Sequence, residues 1–208
     1  MTNNIKRNPL LGKEGLGVVC FFLLLAEALL VILSWLLSAM MMEGVRSLLS
    51  SEGIRWFFGS FTDMMASPLL VWLLVILSAL GCVQQSGVVE LSRQSRPITY
   101  RERIALRVAF VFLVIYVAII ALLTLMPHAI LLSATGQLFP SAFSRSLVPI
   151  VAFGLILFSV SFAMVAGHLK GLSDILNALS FGIAKGASLV IVVILLIQLW
   201  ESIRFVFG

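Results

Sequence analysis

One apolar run near the start of the chain decides its fold: Leu16–Met41, which reads LGVVCFFLLLAEALLVILSWLLSAMM and contains one charged residue, Glu27. A hydrocarbon core about 30 Å thick is crossed by about 20 helical residues, so the run is long enough to span a bilayer. Lys6, Arg7 and Lys13 precede it as in a secretory signal peptide, but the apolar stretch is longer than such peptides use. We therefore interpret the run as a retained transmembrane helix.

Four further apolar runs are also long enough to span a bilayer. They are Pro68–Val89, Val108–Met126, Ser146–Gly167 and Asn177–Trp200. Hydrophobic residues make up 61% of the 208 positions, charged residues make up 11%, and the mean hydropathy is +1.15. In lipid every backbone N–H and C=O must be satisfied within its own segment, which selects helices over open strands. The sequence thus predicts an all-α polytopic membrane protein with five transmembrane helices, in which a cytoplasmic lead (residues 1–15) precedes a single membrane domain (residues 16–208).

The basic residues are distributed unevenly between the two predicted sides of the membrane. With the N-terminus inside, ten of the 14 fall on the inner side, namely Lys6, Arg7, Lys13, Arg93, Arg96, Arg101, Arg103, Arg107, Lys170 and Lys185. The other four fall on the outer side, namely Arg46, Arg55, Arg145 and Arg204. This asymmetry follows the positive-inside rule and predicts a cytoplasmic N-terminus and an external C-terminus. It also explains the net charge of +5 without a nucleic-acid partner.

A short amphipathic segment separates the first two spans. Between residues 53 and 66 the apolar side chains recur at spacings of three and four, namely Ile54, Phe57, Phe58, Phe61, Met64 and Met65. Polar residues, among them Arg55 and Asp63, fall mostly on the opposite side. This pattern predicts an interfacial helix on the outer side of the membrane, with Trp56 near the lipid headgroups.

Two connections are predicted on the inner side. The longer one, Glu90–Arg107, is interpreted as a lipid-facing basic loop that fixes topology and contacts anionic lipid, the alternative being a specific headgroup or protein site. Its arginines are Arg93, Arg96, Arg101, Arg103 and Arg107. The shorter connection follows the fourth span. There we expect Gly171 to end one helix and Ser173 or Asp174 to cap the next.

Four polar residues inside the predicted spans are candidates for function. Glu27 lies near the bilayer midplane, where a charge costs on the order of 3 kcal/mol on insertion scales. It is either a functional proton-carrying group or a protonated acid bonded to a neighbouring helix. Lys185 either reaches back to the headgroups or pairs with Glu27. Gln84 and Gln85, in the inner third of the second span, either hold helices together or line a polar path.

Two glycines of the fifth span predict close helix packing. Gly182 and Gly186 are four residues apart and form a small-xxx-small face. Such a face lets a second helix approach closely, either within the protomer or across a dimer.

Nothing in the sequence indicates an enzyme. His128 and His168 are predicted on opposite sides of the membrane, so a shared site is not expected. Cys20 and Cys82 lie inside spans and are interpreted as small apolar fillers. The prediction is therefore of no catalytic residues, no metal site and no cofactor.

Several segments resemble one known transporter family. The early ones are residues 48–57 (LLSSEGIRWF), 67–71 (SPLLV) and 81–87 (GCVQQSG). The later ones are Ala105–Met126, Pro127, Thr135-Gly136, Ser146–Pro149, Gly167, Ser173-Asp174 and Gln198. Together, and in this order, they resemble the p-aminobenzoyl-glutamate transporter (AbgT) family. The resemblance implies a multi-pass protein of the bacterial inner (cytoplasmic) membrane that moves p-aminobenzoyl-glutamate or another small organic anion with proton or sodium coupling.

The chain also departs from that family. Family members are much longer and hold substrate and ion with two re-entrant hairpins, and no pair of short broken helices is visible in this sequence. No ligand-binding residue is therefore transferred from the family to this chain. Two hypotheses follow: an AbgT-like carrier in which Glu27 carries the proton, or a non-transporting membrane scaffold that acts as a homodimer or beside a partner membrane subunit.

Overall fold

The computed structural model describes residues 13–42, 44–93, 98–125 and 142–208. Of these residues 87% are helical and none is in a strand. The helices are α1 (Lys13–Ala39), α2 (Ser51–Met65), α3 (Pro68–Gln85), α4 (Val88–Arg93), α5 (Tyr100–Leu125), α6 (Ala142–Ala166) and α7 (Leu172–Phe207). Five of them, α1, α3, α5, α6 and α7, are long and apolar enough to cross a membrane. This confirms the predicted all-α polytopic fold, and α2 is the short amphipathic helix expected between the first two spans.

The second and third spans have different ends from those predicted. Helix α3 ends at Gln85 rather than Val89, because Gly87 adopts a left-handed backbone with φ of 79°. Helix α5 begins at Tyr100 rather than residue 108, because Glu102 Oε2 accepts a 2.8 Å hydrogen bond from the Thr99 N–H and satisfies one donor at the helix start. The predicted basic loop is therefore partly wrong: its later arginines, Arg101, Arg103 and Arg107, lie on α5.

The fourth span ends within one residue of its predicted end at Gly167, but the helix end expected at Gly171 and both ends of the fifth span differ from the structure. Helix α6 ends before Gly167, whose φ of 85° is left-handed, and not at Gly171. Helix α7 begins at Leu172 and continues for 36 residues to Phe207, well past the predicted end at residue 200. Glu201 and Arg204 extend it as an i,i+3 ion pair at 3.3 Å. Polarity therefore marks where the hydrophobic part ends and not where the helix ends.

The chain packs as two compact units, and the first lies within Met1–Val71 and Ala187–Gly208. Its buried core contains Leu48 and Val206, together with Phe205, whose ring stacks on that of Trp56 with centroids 4.3 Å apart. The connection after α1 folds back along the helix, because the Leu48 N–H donates to Ser34 Oγ at 3.2 Å. These contacts join α1 and α2 to the last part of α7.

The turn that leaves α1 is formed by three consecutive methionines. Met40, Met41 and Met42 are all exposed, and Met41 is 90% exposed. Met41 also has a φ of 55°, in the left-handed region that side chains other than glycine occupy at a cost of about 1–2 kcal/mol. Arg46 follows this turn and lies beside the end of α7, because its backbone N–H donates to the Val206 carbonyl at 3.0 Å.

The second unit, Trp72–Gly186, is built on the packing of α5 against α6. Two alanines of α5, Ala105 and Ala109, are fully buried against Phe162 of α6, because their small side chains let the helices approach. At one end of this unit His168 Nδ1 lies 2.9 Å from the Ser86 carbonyl oxygen. These contacts fix the turns of the second unit.

Candidate functional site

Glu27 occupies the middle of α1, as the fifteenth of its 27 residues. Most side chains of this helix are apolar and exposed, as expected of a surface in contact with lipid. Glu27 is half-buried, and it lies on the same helical face as Ser34, which is completely buried two turns later. The single acidic residue in the middle of the span is therefore turned toward the interior of the first unit.

A short hydrogen-bonded chain from α7 ends on Glu27. The Gln198 Nε2 donates to Ser202 Oγ at 3.4 Å, and Ser202 Oγ donates to Glu27 Oε1 at 2.7 Å. Ser202 is fully buried and Gln198 is only 8% exposed. These three residues, Glu27, Gln198 and Ser202, are called the Glu27 cluster below.

The Glu27 cluster has two buried oxygens without a donor. Glu27 Oε2 and Gln198 Oε1 are both inaccessible to solvent and accept no hydrogen bond from any residue that the structure describes. Buried polar atoms are rarely left without a partner, so these two oxygens are the unsatisfied acceptors of the cluster. No lysine or arginine of the described ranges forms an ion pair with Glu27. Ser202 engages Oε1, which leaves Oε2 as the carboxyl oxygen without a donor among the described residues.

The spacing of the cluster on α7 follows from helix geometry. Gln198 and Ser202 are four residues apart, which places them on one face of the helix, one turn from each other. That spacing of polar residues in an apolar helix is the signal that sequence reasoning missed. The partnership with Glu27 needed the structure, since the sequence does not say which transmembrane helices are neighbours.

The other predicted intramembrane polar residues are in the second unit. Lys185 Nζ donates to Gln84 Oε1 at 2.8 Å and lies 5.7 Å from the centre of the Phe181 ring. Lys185, Gln84 and Gln85 are exposed. The hydrogen-bond partner of Lys185 is thus Gln84, whereas that of Glu27 is Ser202. The Lys185–Gln84 bond joins α7 to α3. This contact favours the first of the two roles considered for Gln84, that of holding helices together.

The two glycines singled out on α7 both face α3. A Cβ on Gly182 would collide with the backbone of Leu77 and Gly81, and one on Gly186 would collide with the Leu77 side chain. Gly81 is itself packed against Ala178 and Gly182. The close approach is therefore made within one protomer.

The predicted basic loop provides one defined contact. Arg101 Nε donates to the Val165 carbonyl at 3.0 Å, and its guanidinium lies over Gly167. Arg103 and Arg107 are exposed on α5. The backbone of Arg93 ends α4, and Arg96 and His128 lie outside the described residues.

No cluster of three or more His, Cys, Asp or Glu side chains that could hold a metal ion occurs among the residues that the structure describes. Cys82 is buried and Cys20 is half-buried, and both are free thiols. The chain has no match among protein-family models, curated proteins or solved structures. The functional interpretation therefore depends on the Glu27 cluster and on the sequence features given above.

Proposed function

We propose that this protein is an integral membrane transport protein of the AbgT type that moves a small organic anion, with p-aminobenzoyl-glutamate as the first candidate, in a proton-coupled cycle. The observation that carries the proposal is the Glu27 cluster, which holds an acid with one unpartnered oxygen in the middle of a membrane-spanning helix. Ionisable groups in such segments mark proton and ion pathways. The sequence resemblance supplies the substrate class.

In the proposed cycle Glu27 binds one proton and later releases it. The proton adds to Oε2 of the carboxylate, which becomes a neutral carboxylic acid, and its departure restores the carboxylate. Ser202 donates to Oε1 throughout and is itself oriented by Gln198. Neutralising the acid removes the cost of a charge in lipid, which is on the order of 3 kcal/mol. The cycle uses no cofactor and no covalent step.

We further propose that the protein resides in a bacterial inner membrane with its N-terminus in the cytoplasm and its C-terminus outside. The excess of basic residues on the predicted inner side supports this orientation. Contacts within each unit are those expected if successive spans alternate in direction across the membrane. In the second unit the turn after α3 contacts the turn after α6, and in the first unit the turn after α1 contacts the end of α7.

The proposal is tested with Glu27→Gln. Glutamine keeps the size of the side chain and an oxygen that accepts from Ser202, but it cannot bind and release a proton. In proteoliposomes with an imposed pH gradient, uptake of labelled p-aminobenzoyl-glutamate should fall to the level of protein-free vesicles. Glu14→Gln, in the first turn of the same helix, is the matched control and should transport like the unmodified protein.

Uptake by Glu27→Gln at the rate of the unmodified protein would remove Glu27 from the mechanism. Absence of uptake by the unmodified protein, at any imposed gradient, would contradict transport of this substrate by the protein alone. Incorporation into the vesicles is checked for each variant, so that a loss of uptake is not a loss of protein.

The second candidate function is a non-transporting partner subunit. A cavity of 270 Å³ between α3 and α6 is lined by aliphatic side chains, among them Ile76, Leu80 and Val151, and has no group that would hold an anion. Its aliphatic lining suits the side chains of another helix. If a second copy or a partner membrane subunit occupies it, Val151→Trp should dissociate the assembly seen by native mass spectrometry, whereas Val114→Trp, on the exposed side of α5, should leave it intact. A monomeric unmodified protein would contradict this function.

A further inference from the structure

The structure brings Arg204, near the end of the sequence, together with two arginines from its first third. Arg46, Arg55 and Arg204 line one open basin of about 890 Å³ at the end of the first unit where α7 terminates. The stacked rings of Trp56 and Phe205 also line it, and the Arg46 guanidinium lies 5.8 Å from the centre of the Phe205 ring. A basin with several guanidinium groups and an aromatic surface is suited to a phosphate at a membrane interface.

The basin continues into an apolar groove. It shares Trp56, Ser60 and Glu201 with a neighbouring cavity of about 460 Å³. That cavity shares Ser67 and Glu201 with a third one of about 330 Å³. The third cavity is lined mainly by apolar side chains of α7 and its neighbours, namely Val193, Leu196, Ile197, Trp200 and Leu69. The three cavities thus lead from charged groups to aliphatic ones, which is the polarity of an amphiphile.

The charges along this path are balanced. Glu52 lies 3.9 Å from Arg46, and Glu201 lies 3.3 Å from Arg204. Arg55 and Asp63, two turns apart on α2, form no ion pair with another residue of the described segments. One free cationic group and one free acidic group therefore face the same path. They match a headgroup that carries both a phosphate and an ammonium.

A buried hydroxyl lies between the charged and apolar parts. Ser67 Oγ is inaccessible to solvent and makes no hydrogen bond within the described part of the chain, and Ser67 lines both the middle cavity and the groove. An unsatisfied buried hydroxyl is destabilising, so a ligand oxygen would stabilise it once the hydroxyl turns toward the cavity. The ester carbonyl of a lipid lies between headgroup and chain, at the level where Ser67 borders the two cavities.

The exposed face of α2 is that expected of a helix at a membrane surface. Phe58 is 76% exposed, and Ile54 and Phe61 are also exposed on this amphipathic helix. Such a helix lies in the headgroup region with its apolar side chains in the acyl boundary. A ligand that arrives within the membrane can therefore reach the basin directly.

We propose that this path is a binding site for one phospholipid with a zwitterionic, primary-ammonium headgroup of the phosphatidylethanolamine type. Arg55, aided by Arg46 and Arg204, binds the phosphate. Asp63 and Glu201 accept hydrogen bonds from the ammonium, and one acyl chain occupies the groove beside Leu196. The site is independent of proton-coupled transport.

Lipid binding to the delipidated full-length protein, measured by native mass spectrometry, tests the site. Phosphatidylethanolamine should bind about tenfold more tightly than phosphatidylcholine or phosphatidylglycerol of the same chain length, a difference of roughly 1.4 kcal/mol. Phosphatidylcholine lacks the N–H donors, and phosphatidylglycerol lacks the positive charge. Equal affinity for the three lipids, or a preference for phosphatidylglycerol, would overturn the proposal.

Variants separate the headgroup from the chain. Arg55→Gln should weaken binding of all three lipids by about tenfold through the phosphate. Asp63→Asn should remove the preference for the ammonium, and Leu196→Trp should fill the groove. Lys170→Gln, which removes an exposed positive charge in the turn after α6, is the matched control and should bind like the unmodified protein. Unchanged binding by Arg55→Gln and Asp63→Asn would contradict the assigned headgroup contacts.

The soluble headgroup distinguishes the two parts of the path. Glycerophosphoethanolamine, which has no acyl chain, should compete with the lipid only weakly. Competition as strong as that of the intact lipid would show that the basin binds a soluble phosphate compound and that the groove takes no part. The comparison of lipids on the unmodified protein stands even if a variant fails to fold.

Discussion

At the scale of single residues, the close approach of α7 to α3 depends on glycines, which have no side chain. Gly182 of α7 and Gly81 of α3 are in backbone contact, and a Cβ on either would meet main-chain atoms that cannot rotate away. Gly186 differs, because its added Cβ would meet only the flexible end of the Leu77 side chain. The three positions therefore have unequal tolerance for alanine.

Gly182→Ala should destabilise the protein by about 1–3 kcal/mol, because it overpacks a rigid contact. Gly186→Ala should cost less, since Leu77 can change rotamer. The control is Gly59→Ala on α2, where nothing lies within 4 Å of the added Cβ and where alanine should stabilise the helix by up to about 1 kcal/mol. Melting temperatures in detergent give the order of stability of the three variants. Equal melting temperatures for Gly182→Ala and Gly59→Ala would contradict the close approach.

The residues at this scale differ in how far the sequence reveals them. Gly182 and Gly186 stand out by spacing, and Glu27 stands out as a charge in an apolar run. Gly81 and Ser202 do not stand out, because their importance comes from a partner on another helix. A single sequence shows which face of a helix is special, but not which helix it meets.

At the scale of elements, helix ends are set by local capping. Ser50 Oγ accepts a 3.0 Å hydrogen bond from the Gly53 N–H and thereby caps α2. Gly53 is buried against the Ser47 and Leu48 carbonyls, so the start of α2 is fixed to the connection that precedes it. The amphipathic helix is held at one end by two contacts of different kinds.

Ser50→Ala should cost about 1 kcal/mol, the usual effect of removing an N-cap oxygen. The first turn of α2 should then exchange its amide hydrogens faster, as measured by hydrogen–deuterium exchange. The control is Ser51→Ala, one residue later on the exposed first turn. It also removes a serine hydroxyl but leaves the cap at Ser50 in place. If both variants exchange alike, the cap does not stabilise the helix.

The elements were predictable in number and type but not in extent. Five apolar runs gave five spanning helices, because length and hydropathy are enough to detect a span. The start of α5 at Tyr100 was missed because its first turns are charged and the prediction relied on hydropathy. The charged residues nevertheless form a helix, since arginine and glutamate are good helix formers. The six-residue α4 was missed because it is too short to show a hydrophobic period.

At the scale of the whole molecule, the main question is orientation in the membrane. The sequence predicts one side for the turn that follows α6 and the opposite side for the end of α7. Lys170 lies in that turn and is exposed, and Gly208 is exposed just beyond the end of α7. A reagent can therefore reach both positions.

Single cysteines at these two positions test the orientation. In a background with Cys20 and Cys82 replaced by alanine, Gly208→Cys should react in intact cells with a maleimide that cannot cross the membrane. Lys170→Cys should react only after the cells are permeabilised. The reverse pattern would show the opposite orientation in the membrane. The side assigned to each of the 14 basic residues would then have to be exchanged.

The methionine turn after α1 has a chemical consequence. Three thioethers in a row, at Met40, Met41 and Met42, are exposed on the surface of the protein, whereas the Cys82 thiol is almost completely covered. Peroxide or hypochlorite should therefore convert this turn to sulfoxides well before it reaches that thiol. Since the sulfoxide is polar and the turn contributes nothing to the buried core, the protein should tolerate this damage and retain its fold.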